Sequence, residues 1–297
     1  MYNLATVLPV FHRLRFIPSR SVVMLLMMAL NELLLGAETY SAHIISGTIR
    51  GGEWVPIIYG PLAAALLLLA GLLARRRRTL GVIVANVTFL SSAVVGFLGA
   101  YYHLHRALQP FAPLGEQVSV PLLVWAPPIL APLTFALIGL LGISASWIED
   151  PPDSGVLVIP GGRRIAFPFN KSRAFFLIVG MGNLATLISS VLDHARSNFS
   201  NPWVWVPLTV GIFGTAVALT LGFIKTPRRA DLAVYLVAML LMILTGMIGL
   251  LLHIRFDLTT QGAIVFERMI RGAPVMAPML FADMGTIGLI ALLDPRE

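Results

Sequence analysis

Long apolar segments recur along the chain and constrain its fold more than any other feature. Stretches of eighteen or more mostly apolar residues follow one another through the 297 residues, and only 12% of the residues are charged. A helix of about 20 apolar residues crosses the hydrocarbon core of a bilayer. The segments lack the alternation of polar and apolar residues that a transmembrane β-barrel requires. The sequence therefore predicts an all-α, polytopic protein of the lipid bilayer.

Eight transmembrane helices are predicted, in two groups of four. Their expected limits are 21–45, 56–74, 80–105, 119–146, 174–195, 203–224, 232–254 and 273–293. Residues 1–20 would form a cytoplasmic lead-in, 21–146 a first four-helix repeat, 147–173 a cytoplasmic linker loop and 174–297 a second repeat. Pro127, Pro128 and Pro132 predict a kink in the fourth span. Residues 156–162, a β-branched run that ends in Pro-Gly-Gly, predict a small hairpin in the linker.

The positions of the basic residues predict the orientation of the spans. Fifteen of the 21 fall in segments on one side of the membrane, namely Arg13, Arg15, Arg20, Arg75, Arg76, Arg77, Arg78, Arg163, Arg164, Lys171, Arg173, Lys225, Arg228, Arg229 and Arg296. The positive-inside rule makes that side, with both termini, cytoplasmic, as in a multi-pass protein of a cell's inner membrane. Because topology accounts for the net charge of +7, nucleic acid is not expected as a partner.

A glycine–histidine motif ends two of the segments. The pattern G-x-x-G-x-x-x-H occurs as Gly96, Gly99 and His103, and again as Gly246, Gly249 and His253. In a helix these positions share one face. Other landmarks recur in the same order: His43 with His194, Glu32 with Asn183, Trp54-Val-Pro with Trp205-Val-Pro, and Pro128-x-x-Ala-Pro with Pro274-x-x-Ala-Pro. Each half has an even number of spans, so the sequence predicts two tandem parallel repeats.

Four histidines in matched positions are the main chemical feature. His43, His103, His194 and His253 would all lie at the outer ends of odd-numbered spans. Two imidazoles on different helices of a bundle are a ligand set for haem b. We therefore expect two bis-histidine haems, one held by His43 and His103 and the other by His194 and His253. The expected function is electron transfer with other membrane or periplasmic redox subunits.

Glycines and arginines would complete the haem sites. Gly99 and Gly249 lie one turn below their histidines and would give the flat macrocycle clearance. Arg106, Arg196 and Arg255 follow the histidines closely and would pair with the propionates. Since the chain has no cysteine, disulfides, iron–sulfur clusters and thiolate metal sites are excluded.

Other functions are compatible with the same residues. The four histidines could together hold a bare copper, iron or zinc ion, or serve as axial ligands to a chlorophyll-type pigment. Ionisable residues inside a membrane are costly, so Glu32, Glu38 and Asp283 also suggest a proton or solute transporter. A structural subunit of a larger membrane complex remains a further alternative. Catalytic residues are not assigned, because neither a P-loop nor a dinucleotide-binding fingerprint is present.

Overall fold

A computed structural model describes residues 4–9, 19–45, 47–108, 112–259, 264–265 and 267–293 of the chain. Most of the expected lead-in, including Arg13 and Arg15, lies outside these residues, as does Arg296. The described part begins with one short helix, α1 (Leu4–Val7). The fold is mostly helical.

Among the described residues, six helices are long and apolar enough to cross a membrane. They are α2 (Arg20–Ile44), α3 (Trp54–Ala74), α4 (Arg78–Ala107), α7 (Lys171–Ala195), α8 (Trp205–Phe223) and α9 (Arg229–Thr259). Their outward faces carry large apolar side chains, for example Leu26, Leu72 and Phe97, which are 55%, 60% and 62% exposed. Apolar surface of this extent is covered by lipid rather than water. The chain is therefore a multi-pass membrane protein.

The segments expected as the fourth and eighth spans are not continuous helices. The first divides into α5 (Val120–Trp125) and α6 (Leu130–Ser146). In the second, only α11 (Met279–Ala291) is helical, and the short α10 (Glu267–Arg271) precedes the expected span. Proline lacks an amide hydrogen and disfavours helix at the preceding residue, so Pro127 and Pro128 end a helix instead of kinking one. At 17 and 13 residues, α6 and α11 reach about 25 and 20 Å, which is less than the hydrocarbon core of about 30 Å.

The helices pack as two rings of four. In the first ring α2 packs on α3, α3 on α4, α4 on α6 and α6 on α2. In the second ring α7 packs on α8, α8 on α9, α9 on α11 and α11 on α7. Consequently α2 and α4 stand at opposite corners of one bundle, and α7 and α9 at opposite corners of the other. The two bundles meet where α2 contacts α11 and α6 contacts α7.

The linker between the bundles folds as a small antiparallel sheet. Its strands, β1 (Ile148–Glu149), β2 (Val156–Val158) and β3 (Arg164–Ala166), lie in the order β1-β2-β3. The β2–β3 pair confirms the hairpin that the sequence predicts. Its turn contains Gly161 and Gly162 with φ of 90° and 77°, a backbone conformation that favours glycine.

Glu149 attaches this sheet to the second bundle. Its buried carboxylate accepts hydrogen bonds from the backbone N–H groups of Asp153, Gly155 and Lys171, at 3.1, 2.8 and 3.0 Å. Because Lys171 is the first residue of α7, the same carboxylate joins the linker to the start of a spanning helix.

The starts of α2 and α7 exchange hydrogen bonds. A guanidinium nitrogen of Arg20 donates to Ser172 Oγ at 2.7 Å, and Lys171 Nζ donates to Ser21 Oγ at 3.0 Å. Helix α2 begins with Arg20 and Ser21, and α7 begins with Lys171 and Ser172. The basic residue of each helix thus donates to the serine of the other helix, and reciprocal contacts of this kind are typical of a two-fold axis.

Candidate functional site

The histidines lie in two close pairs at the same end of the two bundles. The ring centroids of His43, near the end of α2, and His103, near the end of α4, are 6.3 Å apart with an angle of 53° between the planes. Those of His194 on α7 and His253 on α9 are 6.5 Å apart at 88°. These are the two pairings expected from the sequence.

Each pair lies across one end of its four-helix bundle. The two helices of a pair stand at opposite corners, so the imidazoles meet across the bundle axis instead of along a shared helix contact. All four side chains are half-buried. The histidine end, as we name the end of the molecule that carries these four residues, therefore has two similar pairs of nitrogen ligands.

Backbone carbonyls of proline residues orient two of the rings. His103 Nδ1 lies 2.8 Å from the carbonyl oxygen of Pro128, and His253 Nδ1 lies 3.0 Å from that of Pro274. A carbonyl oxygen only accepts, so Nδ1 carries a hydrogen in both rings, and Nε2 is the nitrogen that faces away from this bond. Metal-ligating histidines are commonly oriented by such a bond. His43 Nδ1 similarly lies 2.8 Å from the carbonyl of Thr39 in its own helix.

The repeated Pro-x-x-Ala-Pro pattern explains why these carbonyls are available. In a continuous helix the carbonyl of residue i accepts from the amide of residue i+4. The residues four positions after Pro128 and Pro274 are Pro132 and Pro278, which have no amide hydrogen. The carbonyl oxygens of Pro128 and Pro274 therefore lack a backbone donor four residues later and can accept from a histidine. From the sequence the pattern is evident only as a repeat landmark, although the four-residue spacing of the prolines is the signal that could have indicated this role.

The motif glycines hold the proline-bearing helices against the histidine-bearing ones. A Cβ at Gly99 would lie 2.7 Å from Pro132 Cβ, and one at Gly249 would lie 2.8 Å from Pro278 Cβ. Gly96 likewise meets the backbone of α6. In this structure the neighbouring helix fills the space beside Gly99 and Gly249, so the clearance expected there for a macrocycle is not present.

The three expected arginines differ in their surroundings. Arg106 and Arg255 are exposed. Arg196 Nε donates to the carbonyl of Val124 at 2.8 Å, and the guanidinium lies 3.8 Å from Asp193. Arg196 thus joins the end of α7 to the end of α5, which belongs to the other half of the chain.

The three membrane acids are separate from the histidines. Glu32 lies eleven residues before His43 on the same helix, roughly 16 Å along its axis. Its side chain is fully buried, and Ser92 Oγ lies 2.5 Å from its Oε1. Ser92 could not be predicted as a partner of Glu32, because nothing in its local sequence distinguishes it from other helix serines.

The other two acids face the boundary between the bundles. Asn31 Nδ2 on α2 donates to Asp283 Oδ2 on α11 at 3.1 Å. Glu38 lies seven residues after Asn31, on the same face of α2, and interacts electrostatically with Asp283. The pattern does not recur at the matched α6–α7 boundary, where Gly182 lies against Leu137.

A bare-ion site formed by all four histidines has no support in this arrangement. Within the described ranges no group of three or more His, Asp or Glu side chains is placed to hold a metal ion. The histidines supply two ligands at each of two places. Comparisons with protein-family models, with curated proteins and with solved structures found no match.

Proposed function

We propose that this protein holds two b-type haems, one between His43 and His103 and one between His194 and His253, and transfers electrons at the histidine end. The observation that carries the proposal is the geometry of the pairs. In each pair two half-buried imidazoles face each other across a bundle, and in each one ring has its Nδ1 bound to a proline carbonyl.

The ring separations support a single metal atom between the rings. One metal held by both imidazoles of a pair, with metal–nitrogen bonds of about 2 Å, would leave the ring centroids up to about 6 Å apart. A direct hydrogen bond between ring nitrogens, at about 3 Å, would place the centroids about 5 Å apart. The separations of 6.3 and 6.5 Å agree with the first arrangement.

The number of ligands favours a metal carried in a macrocycle. A bare zinc ion usually takes three or four protein ligands. A b-type haem would need only two ligands from the protein, so the two histidines of each pair would complete its donor set. By number of ligands, two-histidine sites with no third ligand among the described residues fit haem better than a copper, iron or zinc ion. Since neighbouring helices fill the space beside Gly99 and Gly249, a macrocycle would have to lie against other residues.

The residues of this chain would hold and orient the group. When bound, a haem supplies one-electron redox chemistry. His103 and His253 present Nε2 because proline carbonyls hold the opposite nitrogen, and the half-buried setting of all four rings limits access of water. Exposed Arg106 and Arg255 could pair with propionates. Electron-transfer partners would be other membrane or periplasmic subunits that dock at the histidine end.

We further propose eight membrane crossings in two tandem parallel repeats. The interrupted segments α5–α6 and α10–α11 would each complete a crossing, and both termini would then be cytoplasmic in an inner membrane. Three observations support the repeat: the equivalent rings of helices, the matched histidine–proline bonds, and the exchanged contacts of Arg20 and Lys171. An even number of crossings in each half gives the parallel arrangement.

The test is a reduced-minus-oxidised absorption spectrum, with metal analysis, of the protein purified from membranes. We expect haem bands from two centres. His103→Ala should remove about half of the signal by abolishing the first site, and His253→Ala should remove the other half. His105→Ala is the matched control, because His105 is exposed on the same helix and should leave the spectrum unchanged. A colourless protein that contains no metal would refute the proposal, as would loss of both centres in either single variant.

A second candidate, proton or solute movement between the bundles, is favoured by the Asn31–Asp283 hydrogen bond at the α2–α11 boundary. Ionisable groups on such a boundary are typical of transport pathways. If this function operates, Asp283→Asn should abolish pH-driven proton flux in vesicles that contain the purified protein. Flux equal to that of the unmodified protein would exclude Asp283 from such a path.

A further inference from the structure

The centre of the first bundle contains a hydrogen-bonded chain formed by Glu32, Ser92 and a backbone carbonyl. Ser92 Oγ lies 2.5 Å from Glu32 Oε1 and 2.8 Å from the carbonyl oxygen of Phe135. Glu32 lies on α2, Ser92 on α4 and Phe135 on α6, so the chain crosses the bundle. We propose that Glu32 is a neutral carboxylic acid in this chain and that it forms a membrane-embedded proton-binding site.

The count of hydrogens supports the neutral acid. A serine hydroxyl has one hydrogen to donate, and a backbone carbonyl has none. If Glu32 were ionised, Ser92 would face two acceptors with a single hydrogen, and one of the two contacts would lack a donor. A protonated Glu32 removes the conflict, because the acid donates to Ser92 Oγ and Ser92 donates to the Phe135 carbonyl. The Glu32–Ser92 distance is compatible with donation in either direction. The contact between Ser92 and the Phe135 carbonyl, which needs the serine hydrogen, is therefore what favours the protonated acid.

The surroundings of Glu32 also favour the uncharged form. The side chain is 0% exposed, and its Oε2 has no hydrogen-bond partner. Within the described ranges no lysine or arginine forms an ion pair with it. An isolated carboxylate in such a place is strongly destabilising, whereas a neutral acid is much less so.

Tyr59 on α3 is a titratable neighbour that interacts with both Glu32 and the Ser92 hydroxyl. It carries no positive charge, and its hydroxyl hydrogen is donated to the carbonyl of Thr88 at 2.5 Å, so Tyr59 does not act as a donor to Ser92. The facing groups on α4 and α6 are the Ser92 hydroxyl and the Phe135 carbonyl. The acids Glu38 and Asp283 lie at the other boundary of α2.

The second bundle has an uncharged residue at the matched position. Asn183 corresponds to Glu32, is likewise 0% exposed, and lies eleven residues before His194 as Glu32 lies before His43. An amide cannot ionise. Both bundles therefore have a polar but neutral group at this depth if Glu32 is protonated, and only the first can release a proton.

Loss of the proton would change the chain in a defined way. When Glu32 releases its proton to water, the Ser92 hydroxyl turns to the new carboxylate, and the Phe135 carbonyl loses its side-chain donor. Rebinding of one proton restores the original bonds. The site thus has two hydrogen-bonded states that differ by one proton, and it stands independently of any cofactor at the histidine pairs.

Infrared spectroscopy of the full-length protein in lipid vesicles tests this assignment. A protonated carboxyl group has a C=O stretching band that is separate from the bands of a carboxylate. At neutral pH we expect Glu32→Gln to remove one C=O band and to leave carboxylate bands unchanged. Asp283→Asn is the matched control, because it removes a different membrane acid and should keep the Glu32 band. Loss of carboxylate intensity in Glu32→Gln, with no change in the C=O region, would overturn the proposal.

Ser92→Ala gives a second readout that leaves the acid in place. Without its acceptor, the Glu32 acid should keep a C=O band but shift it to higher frequency. This variant also serves if Glu32→Gln does not fold. Absence of any C=O band that responds to Ser92→Ala would show that Glu32 is ionised. Raising the pH should abolish the band as a single-proton titration.

Discussion

Substitution of Gly96 by alanine tests whether close helix packing determines the geometry of the first histidine pair. A Cβ at this position would lie 2.6 Å from the backbone nitrogen of Ala136 and 2.9 Å from the carbonyl oxygen of Pro132. Carbon atoms need about 3.5 Å, so α4 and α6 would have to separate by about 1 Å. Overpacking of this kind costs about 1–3 kcal/mol, and alanine recovers about 1 kcal/mol of helix propensity. We expect a net destabilisation of up to about 2 kcal/mol.

The same movement should disturb the histidine. His103 lies seven residues after Gly96 on the same face of α4, and its Nδ1 is 2.8 Å from the carbonyl of Pro128, just before α6. A separation of about 1 Å would take this contact beyond the range of a hydrogen bond. The first pair should therefore lose its fixed tautomer, while the pair formed by His194 and His253 should be unaffected.

Gly71→Ala provides the matched control. Gly71 is an exposed helix glycine of α3, and a Cβ there would meet nothing within 4 Å. Alanine at this position should stabilise the helix by up to about 1 kcal/mol. Thermal unfolding of both variants in one detergent, with the absorption spectrum of each, measures the two effects. Equal unfolding temperatures for Gly96→Ala and Gly71→Ala would refute the packing argument.

Two further substitutions test the contacts that join the bundles. Lys171→Met should destabilise the protein by about 2–3 kcal/mol, because the buried ammonium donates to one serine hydroxyl and two backbone carbonyls. The control is Lys225→Met at an exposed site, which should change the unfolding temperature little. Glu149→Ala should increase protease cleavage within residues 147–173, since three backbone N–H groups lose their acceptor. The control is Asp150→Ala, which removes only an exposed ion pair worth less than about 1 kcal/mol. If Asp150→Ala were cleaved as readily as Glu149→Ala, the proposed role of Glu149 would be contradicted.

Several features of the fold and the site could be predicted from the sequence because they depend on residues that are close together in the chain. Helices of the required length follow from runs of apolar residues, and the β2–β3 hairpin follows from a β-branched run with Pro-Gly-Gly. The pairings of His43 with His103 and of His194 with His253 follow from equal depth on helices that run in the same direction. Of the eight expected spans, six are long helices among the described residues. The fourth and eighth are interrupted near prolines, where an amide hydrogen is missing.

Other features depend on which helices become neighbours, and local patterns do not contain that information. Gly99 reads equally well as clearance for a cofactor or as a helix contact, and only the approach of Pro132 decides between them. The role of Ser92 depends on Glu32 and Phe135, which lie 60 and 43 residues away in the chain.

The sequence by itself determined that this is a helical membrane protein and which histidines would face each other, because hydrophobicity and helical periodicity are local properties. Only the tertiary structure decided what orients the rings. His103 and His253 are fixed by carbonyls 25 and 21 residues away, which become free acceptors where prolines interrupt a helix and come within reach where glycines let two helices approach. Such contacts arise from the packing of whole helices, so the residues that form them become apparent only in the folded chain.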